Sequence, residues 1–98
     1  MTISKNRIDD CLTIALEGRL DTITSPELET VVKENIGGVK ELVFDFDKLE
    51  YISSAGLRVI LSAQKIMNKQ GKMQIANAHE LVRSVFAITG MESVFNFI

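Results

Sequence analysis

The stretch EYISSAGLRVIL, Glu50 to Leu61, places two adjacent serines between strand-like residues and an apolar run. Leu57, Ile60 and Leu61 recur at i, i+3 and i+4, the spacing of one helix face. Upstream, ELVFDF (residues 41–46) is almost continuously apolar, as in a central strand covered on at least one face. The serines therefore stand where a strand hands over to a helix. Two hydroxyls in such a place can cap the helix, act as a nucleophile, or accept a modification.

Working outward, the same alternation of strand and helix signals fills the chain. MTISKNRI (1–8) and CLTIALEG (11–18) read as a hairpin turning at Asp9-Asp10, with Leu12, Ile14 and Leu16 on the buried side. Ser25-Pro26 starts a first helix: serine caps the free amides, and proline tolerates the first turn. Leu28, Val31, Val32 and Ile36 form its apolar stripe, and Gly37-Gly38 ends it. The second helix follows Ser53-Ser54, buries Leu57, Ile60, Leu61 and Met67, turns Arg58, Gln64, Lys65 and Asn68 outward, and stops at Gly71. KMQIAN (72–77) is a further strand. Asn77 with Glu80 three residues on reads as a capping box for a third helix, with Leu81, Val82, Val85 and Phe86 inside. Gly90 ends that helix, and SVFNFI (93–98) reads as a last strand. The expectation is one α/β domain over residues 1–98: a mixed sheet of about five strands with three helices packed on it.

Composition narrows the function. The chain has 98 residues, 46% hydrophobic and 24% charged, with a net charge of −2, ordinary values for a folded domain. That charge gives no reason to expect nucleic acid or an anionic membrane as partner. No apolar run approaches the roughly 20 residues of a membrane span, and no leader pattern opens the chain, so a cytoplasmic location is expected. Cys11 is the single cysteine, in a strand pattern that suits a buried structural thiol. No cofactor and no metal are expected, because one His and one Cys do not make a ligand cluster.

Enzyme chemistry finds little support either. A serine nucleophile needs a base, and the only histidine is His79, with no Gly-x-Ser-x-Gly elbow around the serines. His79 reads as a surface residue. Asp45, Asp47 and Glu50 read as a solvated loop near a strand end. IGGVK lacks the spacing of a phosphate-cradling loop. The expectation is a binding or switching module, not an enzyme. The cap reading needs no function. Yet a helix N-terminus also holds free amides and partial positive charge, so a phosphate on a serine there is tolerated.

Three stretches break the tie. LEGRLDTITSPELE (16–29), LVFDFDKLEYISSAGLRVIL (42–61) and LVRSVFAITGMESVFNF (81–97) resemble, in order and spacing, the motifs of the STAS domain of bacterial anti-sigma factor antagonists. The resemblance implies a protein whose unphosphorylated form binds an anti-sigma factor that is also a GHKL-type serine kinase, releasing the sigma factor. Phosphorylation of the serine before the small-residue–Gly pair ends binding, and a serine phosphatase resets the switch. Carried over, the phosphoacceptor is Ser54, which on this reading is both cap and switch, and Ser53 falls where well-studied members carry Asp. Asp21 matches an acidic residue of the partner-facing surface. The expected docking surface joins Asp21 and Thr22 to Ser53, Ser54, Ala55 and Gly56, with Arg58 on the second helix. The alternative is a non-switching interaction module that regulates a transporter or another signalling protein, with Ser54 merely a cap. No counterpart of the family's C-terminal helix is expected after Ile98: either that helix is dispensable, or its apolar docking surface is open and invites a homodimer.

Overall fold

The computed structural model describes residues 1–98. The expected hairpin forms from β1 (Thr2–Ile8) and β2 (Cys11–Leu20), paired antiparallel from Thr2↔Glu17 to Ile8↔Cys11. Asp9 makes the turn in the left-handed region, at φ 55°. Helix α1 (Ser25–Asn35) then returns the chain to β3 (Glu41–Ile52), parallel to β2. Helix α2 (Ser54–Gln70) leads to β4 (Lys72–Ala76), parallel to β3, and α3 (Glu80–Ile88) closes the regular structure. The sheet order is β1-β2-β3-β4.

Register explains the core. Leu12, Leu42 and Met73 stand side by side, as do Ile14, Phe44 and Ile75, and all six are buried. Their neighbours Thr13, Val43 and Gln74 point to the other face and are only half-buried. The helices therefore cover one face of the sheet, and the second face stays partly open. Phe86 of α3 reaches the same core, with ring centroids 6.4 Å from Phe46.

Several expectations need correction. The sheet has four strands, not five. The segment after the short 3-10 turn at Glu92–Val94 makes a single parallel bridge, Ile75↔Phe97, with Ile75 N–H donating to Asn96 O at 2.8 Å. Ile98 N–H returns a bond to Ile75 O at 2.8 Å and Asn77 N–H donates to Ile98 O at 3.4 Å, but β4 ends at Ala76 and Asn77 turns at φ 60°, so the pairing does not extend into a full strand. Phe95 and Phe97 instead hold the segment by packing edge-on against Phe86, at 5.2 and 5.3 Å. Asn77 does not build a capping box. His79 is the N-cap residue of α3 without a side-chain cap bond, and the Asn77 side chain instead donates through Nδ2 to Asp45 Oδ1 at 3.0 Å. His79 is exposed, as expected, and its ring nitrogen Nε2 bonds to Leu49 O. Leu81 is 74% exposed rather than inside.

Strand β3 is also longer than expected. Asp45, Asp47 and Glu50 lie within it, not in a loop. The register moves from Ala15↔Asp45 to Glu17↔Lys48, and from Gly18↔Leu49 to Arg19↔Tyr51. Each step gives β3 one extra residue, a bulge. The buried positions accordingly pass from Leu42, Phe44 and Phe46 to Leu49 and Ile52. Bulges thus carry the strand through two exposed charged residues, Asp47 and Lys48, to the place where the serines follow.

Candidate functional site

Leu20 and Ile52 are register partners at the carboxyl ends of two parallel strands. The chain leaves β2 through Asp21 and β3 through Ser53. Ser53 N–H donates to Leu20 O at 2.9 Å, so the two exits are tied together. Carboxyl ends of parallel strands are where α/β sheets gather their binding residues.

Asp21 organises a tight turn. Its Oδ1 accepts from the amides of Ile23 at 3.0 Å and Thr24 at 3.1 Å. Thr24 Oγ1 donates to Arg19 O at 2.7 Å and accepts from Asp21 N–H at 2.9 Å. Ser25 closes the ring: its amide donates to Asp21 O at 2.9 Å, and its hydroxyl bonds to the same oxygen. Thr24, not Ser25, is the N-cap residue of α1. The Thr24 amide foremost, then that of Ile23, holds the Asp21 carboxyl below its ordinary value of 3.8, against a desolvation effect of opposite sign. The carboxylate stabilises its own turn.

The two serines divide the possible roles. Ser53 has extended backbone (φ −95°, ψ 173°) and its Oγ accepts from Gly56 N–H at 3.2 Å: it is the N-cap of α2. Ser54 is the first helical residue, is exposed, and its hydroxyl bonds to nothing in the chain. The sequence reading makes Ser54 both cap and switch; backbone geometry corrects the first half, because the extended residue before the helix is Ser53, so Ser54 is not the cap.

Gly56 lies under the surface rather than on it. It is buried, and a Cβ there would stand 2.6 Å from Leu20 Cγ and 3.0 Å from Leu20 O. Its bareness lets the first turn of α2 lie against the end of β2. Thr22, Ala55 and Arg58 do come together: they line an open groove of about 430 Å³ between α1 and α2. The groove also takes in Pro26 and Glu29 from α1 and Ser62 and Lys65 from α2. Sequence reasoning missed these. Ala55, Arg58, Ser62 and Lys65 follow steps of three, four and three, the stripe that could have shown them. Gln64, expected outward, is 7% exposed and donates to Asn68 Oδ1 at 2.8 Å.

No group of three or more His, Cys, Asp or Glu side chains gathers in a metal-binding arrangement. No helix is long and apolar enough to cross a membrane.

Comparisons with known proteins agree with this geometry. The STAS domain family model matches residues 2–98. BtrV of Bordetella bronchiseptica, which carries an anti-sigma factor antagonist name, is 34% identical over 97% of this chain and 84% of its own length. The anti-sigma-B factor antagonist of Staphylococcus aureus is 24% identical over 98% of this chain and 91% of its own length. The solved structure of the anti-sigma factor antagonist SpoIIAA in its unphosphorylated form superposes with a TM-score of 0.85 at 20% identity, covering 99% of this chain and 88% of SpoIIAA. The phosphorylated form of SpoIIAA, described as a Bacillus cell fate determinant, superposes with a TM-score of 0.77 at 19% identity, over 99% and 91%. By a family match that spans both strand ends and the helix they support, this chain belongs to the STAS domain family.

Proposed function

We propose that this chain is an anti-sigma factor antagonist switched by phosphorylation at Ser54. Its unphosphorylated form binds a GHKL-type serine kinase that is also the anti-sigma factor, and so releases the sigma factor. The kinase transfers the γ-phosphoryl group of ATP to Ser54 Oγ, leaving ADP, and the complex separates. A serine phosphatase hydrolyses the phosphoester and restores binding. The names carried by BtrV, the Staphylococcus aureus antagonist and SpoIIAA support the antagonist role.

The observation that carries the switch is the division of labour between the serines. Ser53 holds the cap bond, so Ser54 Oγ is exposed and unengaged at the start of a helix. A phosphate can be added there without removing any bond of the fold. The charge of about −1.5 to −2 meets the positive end of the α2 dipole. Against a partner shaped for a neutral hydroxyl, the same charge would lose its hydration, costing several kcal/mol unless paired.

Intact mass and phosphopeptide mapping test this, after incubation with ATP and a GHKL-type serine kinase from the same organism. One phosphate on Ser54, with loss of kinase binding, is expected. Phosphate on Ser53 alone would overturn the assignment, and phosphate on neither serine would leave a non-switching interaction module.

A further inference from the structure

Ile23 is 86% exposed, at the apex of the Asp21 turn. A lone exposed isoleucine is ordinary on a protein surface. This one differs in how it is held. Its own amide donates to Asp21 Oδ1, the next residue's amide donates to the same oxygen, and Thr24 and Ser25 lock the turn from behind. A β-branched side chain on a pinned backbone has little conformational freedom left to lose on binding. Its neighbour Thr22 lines the α1–α2 groove together with Ala55 and Arg58, so the apex adjoins the Ser54 junction.

The groove supplies the charge. The three ion pairs of the chain join Lys33 to Glu29, Lys72 to Glu41 and Arg83 to Glu92. Arg58 and Lys65 have no such partner, whereas Glu29, the acid of the groove, is engaged by Lys33. Among the side chains that line the groove, the charge left without an ion pair is positive.

Resting on the Ser54 reading, we infer that Ile23 is the apolar anchor by which the kinase docks, entering a pocket on the kinase whose rim is acidic and faces Arg58 and Lys65. Asp21 is then a positioning residue: its carboxylate fixes the turn that presents Ile23. Binding anchors of this kind are few, central and rigid, and their truncation dominates affinity.

The test uses the full chain and the kinase that phosphorylates Ser54. Ile23→Ala and Ile23→Asp should weaken kinase binding at least about tenfold, with an unchanged melting temperature, while Ile23→Val stays near wild type. Ile8→Ala is the control: Ile8 is also 66% exposed, but at the β1–β2 hairpin, the opposite end of the sheet. Lys65→Glu should weaken binding severalfold, and more at low salt than at high salt. Wild-type affinity in Ile23→Asp, with Ser54 still phosphorylated, overturns the anchor and leaves the Ser54 reading intact. Wild-type affinity in Lys65→Glu at every salt concentration overturns the acidic rim. Absence of binding and phosphorylation in the wild-type chain overturns the Ser54 reading and this one with it.

Discussion

Replacing each serine of the pair by alanine separates cap from switch. Ser53→Ala removes the only side-chain acceptor for Gly56 N–H. An N-cap serine contributes about 0.5–2 kcal/mol. The 3.2 Å length of this bond argues for the lower end of that range. The burial of Gly56 argues for the upper end, because water cannot easily replace the lost acceptor. The two considerations leave about 1 kcal/mol, which for a domain of this size lowers the melting temperature by about 4–8 °C. Ser54→Ala removes an exposed hydroxyl without partners, so its effect should stay within about 0.5 kcal/mol. Thermal unfolding followed by circular dichroism gives both numbers. Phosphorylation should show the reverse order, with Ser53→Ala modified and Ser54→Ala not. A lower melting temperature for Ser54→Ala than for Ser53→Ala would refute the cap assignment. Ser53→Asp should keep its stability, since aspartate caps as well as serine and suits the helix dipole.

Ser54→Asp should melt within a few degrees of wild type and fail to bind the kinase in titration calorimetry; wild-type affinity would remove charge from the mechanism. Gly56→Ala places a methyl group against Leu20 Cγ and Leu20 O. The overpacking cost of about 1–3 kcal/mol outweighs the roughly 1 kcal/mol that alanine gains over glycine in a helix, so urea unfolding should show a net loss of stability. Asp21 has a lowered folded pKa, so its stabilising effect is complete above the ordinary value of 3.8 and disappears as pH falls through the folded value. Asn accepts the same two amides but does not titrate, so Asp21→Asn should flatten that part of the acid limb in unfolding curves collected at successive pH values. An unchanged limb would show that Asp21 does not contribute to it.

Much of this molecule is legible without coordinates, and the exceptions have identifiable causes. The hairpin, the three helices and the parallel strands follow from period-2 and helical patterns that local residues set directly. β3 is cut short in the sequence because its two bulges change the phase of burial between Phe46 and Leu49, and period counting cannot follow a phase change. The terminal strand misleads because Phe95 and Phe97 have strand-like spacing but spend it on Phe86. At the site, the junction and its residues are legible, while the assignment of the cap depends on the ψ of one residue, Ser53. Ile23 escapes notice because an isoleucine in a loop carries no pattern. Only the hydrogen bonds of the Asp21 turn show how firmly it is presented.

The Ser53–Leu20 bond and the contact of Gly56 with Leu20 leave no hinge between the end of β2 and the start of α2. If Ser54 is the switch, a junction of this kind transmits by charge instead of by motion. On the Ser54 reading, the modified and unmodified chains share one backbone, and switching has no slow rearrangement to wait for. Its tempo belongs to the kinase and the phosphatase. Partner choice is then written in a few outward side chains, and it can drift or be re-engineered without disturbing the core.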